Sequence, residues 1–577
     1  MAAQPQATQQ HPPHPDETVG PLERGFAVLR ALAAAPGGRL RPSELTKSTG
    51  LARSTVDRLA ATLAELGYLR AEGEGRDLVL APAAAGPGNA YLRGCGLPAL
   101  LGPLAEELST RLDESVSLAV PDRESVRFIV QFKRRRALSV AFRAGDALPA
   151  ERCAPGAIFA RGWSEAEFAA WQARLEQDPD YAGFPALPTH RPETESVASF
   201  RGRIAAAVRD GYAEDDQLIE KGLIALAVPV FDEAGQAVCA LSVVSHTSRQ
   251  TVASLREATL PMLLAAAEAM SDRLARAAGS SDRGGDPGRH QGTKTAEPVG
   301  DVDAAELAED PTAAAKGQYG PEYLQSLARG ISVLSVLGEG GPRGLTLSEA
   351  AAATGLARAT ARRSLLTSVR QGYVETDGAR FKILPRVLEL GYARLVRLSL
   401  GELAQPHLEQ VARTVHESAS MAVLDGEDVR YVARAAAGRI MSVDIMIGTR
   451  LPAFATSMGR VLLADLPRSG RRRFLEQARI RPLTRYTVTE LPELLRVLEG
   501  VAASGYALVD QELEEGLRSM AVPVRDPSGE AVAAVNVSMH AARTSAAEAR
   551  ASVLPVLVAA AAAISADLAL LSGPTAP

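Results

Sequence analysis

The stretch Leu345–Val374, LTLSEAAAATGLARATARRSLLTSVRQGYV, decides how the rest of the chain is interpreted. It contains two short helical segments around a Thr-Gly-Leu turn, and the second segment carries several arginines. The stretch Leu40–Leu69, LRPSELTKSTGLARSTVDRLAATLAELGYL, lies 305 positions earlier and keeps Ser-Glu, Thr-Gly-Leu-Ala-Arg and Gly-Tyr in the same register. A repeat with a period near half the chain predicts two copies of one design.

The segments around each stretch extend the repeat. An amphipathic helical segment precedes each stretch, and a hairpin with a Gly-containing turn follows it. The order helix, helix, helix, hairpin is that of a winged helix-turn-helix. Mixed strands and helices then follow in both copies, after predicted helices at Gly96–Leu112 and Pro385–Val415. Among these strands we expect Leu138–Phe142 and Ile440–Ile445. The predicted fold class is α+β, with two winged helix-turn-helix domains that are each followed by an α+β domain.

Composition shifts give the domain boundaries. The segment between the copies is rich in Gly, Asp, Pro, Ser and Thr and lacks apolar periodicity, as in a flexible linker. The predicted ranges are a disordered tail at 1–18, winged helix-turn-helix 1 at 19–82, linker helix and α+β domain 1 at 83–278, a flexible linker at 279–320, winged helix-turn-helix 2 at 321–385, linker helix and α+β domain 2 at 386–572, and a tail at 573–577.

Bulk properties narrow the class of protein. The net charge of −5 over 577 residues provides no global basic field, so contacts to nucleic acid must come from local clusters. Three cysteines without a CxxC pair argue against a disulfide framework or a zinc site. The N-terminus lacks the pattern of a signal peptide. The apolar run Val553–Leu571 contains Pro555 and Asp567 and suits a packed helix better than a membrane span. We expect a cytoplasmic protein without membrane contact, metal or cofactor.

The second helix of a helix-turn-helix enters the major groove of DNA. The candidate contacts in copy two are Arg358, Thr360, Arg362 and Arg363, with Arg380 and Lys382 on the wing. Those in copy one are Arg53, Ser54, Thr55 and Arg58. Arginine can bind guanine or a phosphate, and threonine can reach phosphate or a thymine methyl group. Copy one has Asp57 where copy two has Arg362, so we expect copy two to be the stronger anchor. The alternative, a merely solvated arginine face, is disfavoured by the repeat of the whole pattern.

A second candidate site begins at Thr456-Ser457-Met458-Gly459, between the loop GTRLPAFA and the helical run RVLLADL. Free backbone N–H groups at such a helix start attract anions. A carboxylate is therefore the expected ligand.

The runs LARATARRSLLT, RFKILPRVLELGYARL, GTRLPAFATSMGRVLLA and ALVDQELEEGLRSMAVPVRD resemble the IclR family of bacterial transcription regulators. The resemblance covers 22–277 and again 323–570, and copy two is similar to the subgroup that controls the β-ketoadipate route for aromatic acids. It implies double-stranded DNA as a partner, a GAF-like effector-binding domain and a small aromatic or dicarboxylic acid as effector. It also implies that the effector site at Ser457, Met458 and Gly459 is completed by Asp510, Ser519, Asn536 and Ser538. Because family members normally carry one such unit and pair, two units suggest a pseudo-dimer within the chain. Pairing of two chains stays open.

Copy one departs from the pattern of the effector site. Cys153-Ala154-Pro155-Gly156 replaces the Thr-Ser-Met-Gly run, and Ala225 and Val244 replace Ser519 and Ser538. Copy one is therefore expected to bind a different ligand or none. A reactive, low-pKa thiol at Cys153 is a weaker alternative. In copy two the acidic run Glu512–Glu515 is predicted to be a solvated turn.

No catalytic motif of the GxSxG, HExxH, Walker A or dinucleotide-binding type occurs. The predicted function is a ligand-responsive, DNA-binding transcription regulator that is not an enzyme. The alternative is a small-molecule sensor that acts through protein partners with little or no DNA binding.

Overall fold

The structure of the chain is a computed structural model that describes residues 18–73, 77–134, 142–188, 196–282, 312, 317–318, 320–437, 445–543 and 545–572. Both predicted tails, the flexible linker and the predicted strands Leu138–Phe142 and Ile440–Ile445 lie wholly or mostly outside these residues. Contacts divide the chain into two compact units, the first ending at Val396 and the second spanning Arg397–Ser572.

The first unit begins with a winged helix-turn-helix. Its elements are α1 (Gly20–Ala34), β1 (Arg39–Leu40), α2 (Pro42–Thr49), α3 (Arg53–Glu65), β2 (Leu69–Glu72) and β3 (Asp77–Leu80). Gly50 ends α2 in the left-handed conformation, with φ of 68°, which glycine adopts at little cost. The predicted order of three helices and a hairpin is confirmed. The two-residue strand β1, which pairs with β3, is too short to leave a periodic signal in the sequence.

An α+β domain follows. Its elements are α4 (Gly86–Cys95), α5 (Leu97–Leu112), β4 (Ser115–Asp122), β5 (Ser125–Phe132), β6 (Ala147–Pro149), α6 (Ala154–Ala160), α7 (Glu165–Gln177), α8 (Val197–Asp210), β7 (Ala213–Asp216), β8 (Leu223–Phe231), β9 (Ala237–His246) and α9 (Val252–Asp282). The strands form one antiparallel sheet in the order β6-β5-β4-β9-β8-β7. The predicted helix Gly96–Leu112 starts one residue later, because Gly96 has φ of 69° and separates α4 from α5.

The second winged helix-turn-helix completes the first unit. Its elements are α10 (Gln325–Val336), β10 (Leu345–Thr346), α11 (Leu347–Thr354), α12 (Arg358–Arg370), β11 (Val374–Thr376) and β12 (Arg380–Ile383). The predicted continuous helix Pro385–Val415 is wrong. The chain forms 3-10 turns at Pro385–Leu390, then α13 (Tyr392–Leu395), and a new helix begins only at Leu400. Gly391 has φ of 154°, and an α-helix cannot continue through this backbone conformation. Ser399 caps the new helix in a capping box with Glu402.

The second unit is the second α+β domain. Its elements are α14 (Leu400–Val415), β13 (Ser418–Asp425), β14 (Asp428–Ala435), β15 (Arg450–Pro452), α15 (Ser457–Asp465), α16 (Arg468–Gln477), α17 (Leu491–Ser504), β16 (Ala507–Asp510), β17 (Leu517–Arg525), β18 (Ala531–His540), α18 (Ala546–Ser552) and α19 (Leu554–Leu571). The sheet order β15-β14-β13-β18-β17-β16 repeats that of the first α+β domain. Its two faces lie in separate apolar clusters, one with α14 and α19 and one with α15 and α17.

Helix α19 is, among the described residues, the one helix long and apolar enough to cross a membrane, and 22% of it is buried. Leu557, Ala561 and Ile564 lie in the core with α14 and the sheet. The predicted packing therefore holds for one face, while Val558 on the opposite side is 51% exposed.

The two winged helix-turn-helix domains pack on each other through α1 and α10. A Cβ atom at Gly25 would lie 2.4 Å from Leu327, and one at Gly330 would lie 2.4 Å from Leu22. The glycine of each helix therefore leaves the space that the leucine of the other helix fills. Leu22 and Leu327 are both fully buried. Since these four residues correspond under the 305-residue repeat, the contact has a local two-fold pseudo-symmetry.

Reciprocal hydrogen bonds flank this contact. The backbone N–H of Val19 donates to Thr367 Oγ1 at 2.9 Å. The backbone N–H of Leu324 donates to Thr62 Oγ1, also at 2.9 Å. Each threonine lies in a recognition helix and receives the N–H that precedes the first helix of the other copy. These two hydrogen bonds fix the recognition helices α3 and α12 to the contact between α1 and α10.

We predict that Gly330→Val destabilises the first unit by about 1–3 kcal/mol, the usual cost of overpacking a closed contact. The added methyl groups would displace Leu22, whose Cδ and Cγ atoms all lie within 3 Å of a Cβ at that position. Chemical denaturation measures the effect. Gly202→Val is the control, because that glycine lies on a helix with nothing within 4 Å of its Cβ position. An equal loss in both variants would reflect helix propensity alone and contradict the packing argument.

Candidate nucleic-acid interface and effector site

The recognition helix of copy two, α12, turns its arginines outward. Ala361, Leu365 and Thr367 face the core, and Arg358, Arg362 and Arg363 are exposed. Thr360 is half-buried near the start of the helix. In the described part of the chain, no ion pair involves Arg358 or Arg363. The predicted contact residues therefore present their positive charge to solvent.

In the recognition helix of copy one, α3, two of the predicted DNA-contacting arginines are paired with carboxylates of the same chain. Arg53 Nε lies 2.9 Å and 3.0 Å from the two carboxylate oxygens of Asp57, one helical turn away. Arg58 lies 3.7 Å from Glu322. Ser54 is exposed and Thr55 is half-buried. An exposed ion pair is weak, but Asp57 also places a negative charge where DNA presents phosphate.

The charged side chains of both wings form ion pairs with neighbouring residues. On wing two, Arg380 Nη1 donates to the carbonyl of Gly344 at 2.9 Å and lies 3.5 Å from Glu349, and Lys382 lies 3.4 Å from Glu375. On wing one, Glu72 is paired with both Arg39 and Arg70. Because such exposed pairs contribute at most about 1 kcal/mol, a phosphate can replace the carboxylate.

The candidate effector site in the second unit lies on one face of the sheet. Ser519 on β17 lies opposite Ser538 on β18. Side chains two positions apart on a strand point to the same face, so Asn536 and Ser538 share the face of Ala534. Ala534 packs with Met458 in the core beneath α15. The predicted residues on β17 and β18 therefore face the helix that begins at Ser457.

Three of the predicted effector residues carry a buried oxygen that has no hydrogen-bond partner: Ser457 Oγ, Asp510 Oδ1 and Asn536 Oδ1. The other polar atoms of the two larger side chains are used. Asn536 Nδ2 donates to Ser538 Oγ at 3.3 Å, and Asp510 Oδ2 accepts from Arg518 Nη2 at 2.8 Å. An unsatisfied buried polar atom costs about 1–3 kcal/mol. Val509, and not Asp510, lies opposite Ser519, and side chains alternate between the two faces of a sheet, so Asp510 does not share the face of the other predicted effector residues. The site thus offers the Ser457 hydroxyl and one acceptor oxygen, Asn536 Oδ1, to a ligand.

The start of α15 differs from the predicted open set of N–H groups. Thr456 Oγ1 accepts the N–H of Gly459 at 3.1 Å, so this donor is already used. A Cβ atom at Gly459 would lie 2.1 Å from the carbonyl oxygen of Ala453. Gly459 is therefore required by close packing of the helix on the preceding turn, and the fully buried Met458 belongs to the core. The Ser457 hydroxyl is the polar side-chain group of this run that remains available.

A buried ion pair that the sequence analysis missed lies behind this site. Arg460 forms a two-pronged contact with Glu512, with both N–O distances at 2.6 Å. Glu512 is 8% exposed, so its prediction as part of a solvated turn is wrong. The signal available in the sequence was an arginine on the apolar helical run RVLLADL.

At the corresponding site in copy one, two polar side chains form a hydrogen bond with each other. Ser117 and Ser242 occupy the positions of Ser420 and Asn536, and their hydroxyl oxygens lie 2.7 Å apart in a buried hydrogen bond. Ala225 and Val244 supply no polar group. Cys153 lies in the same apolar cluster as a group of aromatic rings in edge-to-face and tilted contact, formed by Trp163, Phe168, Trp171 and Phe200. The polar surface of copy two is here replaced by apolar packing.

The alternative of a reactive thiol at Cys153 is wrong. The side chain is 1% exposed, and burial raises the pKa of its thiol far above the usual value. Its Sγ donates to the carbonyl of Pro149 at 3.6 Å. Within the described residues, no group of three or more His, Cys, Asp or Glu could hold a metal ion.

We predict that the native thiols are nearly inert toward iodoacetamide at pH 8. Burial raises the pKa of Cys95 to about 11 and that of Cys239 to about 12, so the reactive thiolate is rare until the pH approaches those values. Alkylation followed by mass spectrometry measures the rate. The guanidinium-unfolded chain is the control and should react at all three cysteines. Rapid labelling of Cys153 in the native protein would contradict this assignment.

We predict opposite effects from two changes in the recognition helices. Arg358→Ala should weaken DNA binding by about 1–3 kcal/mol or reduce the salt slope by about 1, depending on whether it contacts a base or a phosphate. Asp57→Ala should strengthen binding, because it releases Arg53 and removes a negative charge. Affinity measured at several salt concentrations tests both. Arg472→Ala on the exposed face of α16 is the control. Weaker binding by Asp57→Ala would show that the carboxylate itself contacts DNA.

Comparison with known proteins identifies the chain. The profile described as "IclR helix-turn-helix domain" matches residues 21–73 and 326–378. The profile described as "Bacterial transcriptional regulator IclR C-terminal" matches residues 89–272 and 392–566. Together they cover both copies of the repeat.

Individual relatives agree. The chain is 42% identical over 241 residues to the Pca regulon regulatory protein of Pseudomonas putida, a match that covers 42% of this chain and 82% of that protein. It is 35% identical over 220 residues to the p-hydroxybenzoate hydroxylase transcriptional activator of Acinetobacter baylyi, covering 37% of this chain and 81% of that protein. A transcriptional regulator of known crystal structure from Rhodococcus sp. RHA1 is 52% identical over 43% of this chain and 99% of its own, with a TM-score of 0.41. The chain belongs to the IclR family of bacterial transcriptional regulators and is a ligand-responsive, DNA-binding regulator that carries the family's two-domain unit twice.

Proposed function

We propose that this regulator controls genes for the catabolism of aromatic acids and that a small aromatic or dicarboxylic acid is its effector. The observation that carries the proposal is the pair of buried oxygens without partners at Ser457 and Asn536. The names of the relatives in Pseudomonas and Acinetobacter, which refer to a Pca regulon and to p-hydroxybenzoate hydroxylase, support the ligand class.

A hydroxylated aromatic acid suits these groups chemically. The Ser457 hydroxyl can donate to a carboxylate, and Asn536 Oδ1 can accept from a phenolic hydroxyl. The small side chains of Ser519 and Ser538 on the same sheet face leave room beside them. A few convergent polar groups on an otherwise apolar wall are typical of small-molecule sites.

We propose copy two as the site of effector binding. In copy one the equivalent serines are hydrogen-bonded to each other, and no hydroxyl stands at the positions of Ser457, Ser519 and Ser538. Copy one thus lacks these hydroxyl donors and instead carries the buried carboxylate of Asp215 opposite Ala225, which does not favour an acidic ligand.

The proposed mechanism is conformational. The effector binds one arrangement of the second α+β domain more tightly and shifts the equilibrium by that difference in affinity. Residues 385–399 connect this domain to wing two, so they are the covalent route by which a change reaches the second recognition helix. Double-stranded DNA is the proposed partner of both recognition helices. One chain, with its two domains packed through α1 and α10, would occupy two half-sites as a pseudo-dimer in the cytoplasm, without enzymatic activity. A homodimer of chains would occupy four.

The second candidate function is a sensor that acts through protein partners. It is favoured by the Arg53–Asp57 pair of copy one, which weakens one of the two DNA contacts. It requires that copy two alone bind DNA too weakly to regulate.

The test is retardation of the DNA upstream of the chain's own gene, with and without protocatechuate, 4-hydroxybenzoate and β-ketoadipate. We expect salt-sensitive binding that one acid alters. We expect Asn536→Ala to reduce the affinity for that acid by up to about tenfold, since a hydrogen bond between neutral groups contributes about 0.5–1.5 kcal/mol.

The matched control is the double variant Ser117→Ala/Ser242→Ala, which removes the corresponding groups of copy one and should leave the response intact. Binding that ignores every acid would contradict the proposed effector class. The absence of specific binding at low salt would favour the protein-partner function.

A further inference from the structure

The buried pair Arg460–Glu512 joins the parts of the second α+β domain that surround the proposed effector site. Arg460 lies on α15, one turn after Ser457, and Glu512 lies two residues after Asp510. Both side chains are buried, at 3% and 10% exposure, and their charges cancel. The pair therefore cannot neutralise a bound acid itself, and its influence must come from position.

Each member of the pair holds a further segment. Arg460 Nε donates to the carbonyl of Phe454 at 2.9 Å, in the turn before α15. Glu512 Oε2 accepts the backbone N–H of Val488 at 3.0 Å, and the hydroxyl of Thr487 donates to the carbonyl of Glu512 at 2.7 Å. The helix that carries Ser457 is thus connected to the loop that carries Asp510 and to the turn at 484–488.

Copy one shows that the fold does not require this pair. Ala157 and Leu218 stand at the two positions. The loop of copy one nevertheless has the same backbone: Gln217 has φ of 63° and Gln511 has φ of 61°. In each copy the glutamine side chain accepts an N–H from the glycine that ends the loop, at 3.0 Å from Gly222 and 3.2 Å from Gly516.

The start of the helix is also built alike. The glycines at 156 and 459 both approach the carbonyl of the preceding turn so closely that a Cβ would lie 1.9 Å and 2.1 Å from it. Copy one holds its loop by a different contact, in which Arg152 Nη1 donates to the carbonyl of Leu218 at 2.9 Å.

The pair is therefore present in the copy that has hydroxyls at positions 457, 519 and 538, and it is absent from the copy that has Ala154, Ala225 and Val244 there. Burying two charges gives little or no net stability compared with apolar residues of similar size, so folding alone does not account for it. We propose that Arg460 and Glu512 are positioning residues for the effector, which hold the helix start that carries the Ser457 hydroxyl in a fixed position against the loop that follows β16. This inference rests on the proposed function of copy two as the effector-binding domain.

The test exchanges the pair for the residues of copy one in the full chain, as Arg460→Ala/Glu512→Leu. We expect the Kd for 4-hydroxybenzoate, measured by calorimetry, to rise at least tenfold, while the Tm without acid changes little and DNA binding without acid is retained. The single variants Arg460→Ala and Glu512→Leu each leave a buried charge unpaired and should lower the Tm. Arg460→Lys keeps the charge but loses the two-pronged geometry, and it should give an intermediate Kd at nearly unchanged Tm.

An unchanged Kd in the double variant would overturn the inference, and so would a double variant that fails to fold, because the pair would then be structural. If the unaltered chain binds neither 4-hydroxybenzoate nor protocatechuate, the proposed function fails first and the inference fails with it. Loss of affinity in the double variant alone, with the unaltered chain binding normally, would support the inference.

Discussion

The exchange of leucines between α1 and α10 is the contact on which the DNA-binding half of the molecule depends. Each helix has a glycine where the other has a leucine, so the two copies must both be present and must meet in one orientation. The threonines of the two recognition helices then cap the chain segment that leads into the opposite copy. Because both copies lie in one chain, this contact is part of one folding unit, and its formation does not depend on protein concentration.

The sequence was sufficient to predict the features that arise from local patterns. Glycines at helix ends, the hairpin turns and the 305-residue repeat predict both winged helix-turn-helix domains and the α+β class. The failures are non-local. Arg460 and Glu512 are 52 residues apart, and nothing in the acidic run indicated that its first glutamate is buried. The break in Pro385–Val415 depends on the backbone of Gly391 and on the capping box that begins a new helix at Ser399.

The candidate effector site was predictable only in part. The run Thr456–Gly459 lies at a helix start, as predicted. The sequence alone could not show which of its N–H and hydroxyl groups are already hydrogen-bonded within the protein. One donor is used by Thr456, and the glycine serves packing that both copies share. Comparison of the two copies separates the requirement of packing from other requirements. The glycine is the same in both copies because the close approach of the helix to the preceding turn demands it, whereas copy one has Ala154 at the position of Ser457.

The pairing of Arg53 with Asp57 makes the two DNA-binding ends of the chain different from each other. A regulator made of two identical halves looks the same from either end of its operator, so it can be placed on DNA in two equivalent ways. Here the two recognition helices carry different charges at matching positions. The two recognition helices of one chain are therefore not interchangeable, so a chain that contacts DNA through both of them distinguishes the two directions of the duplex.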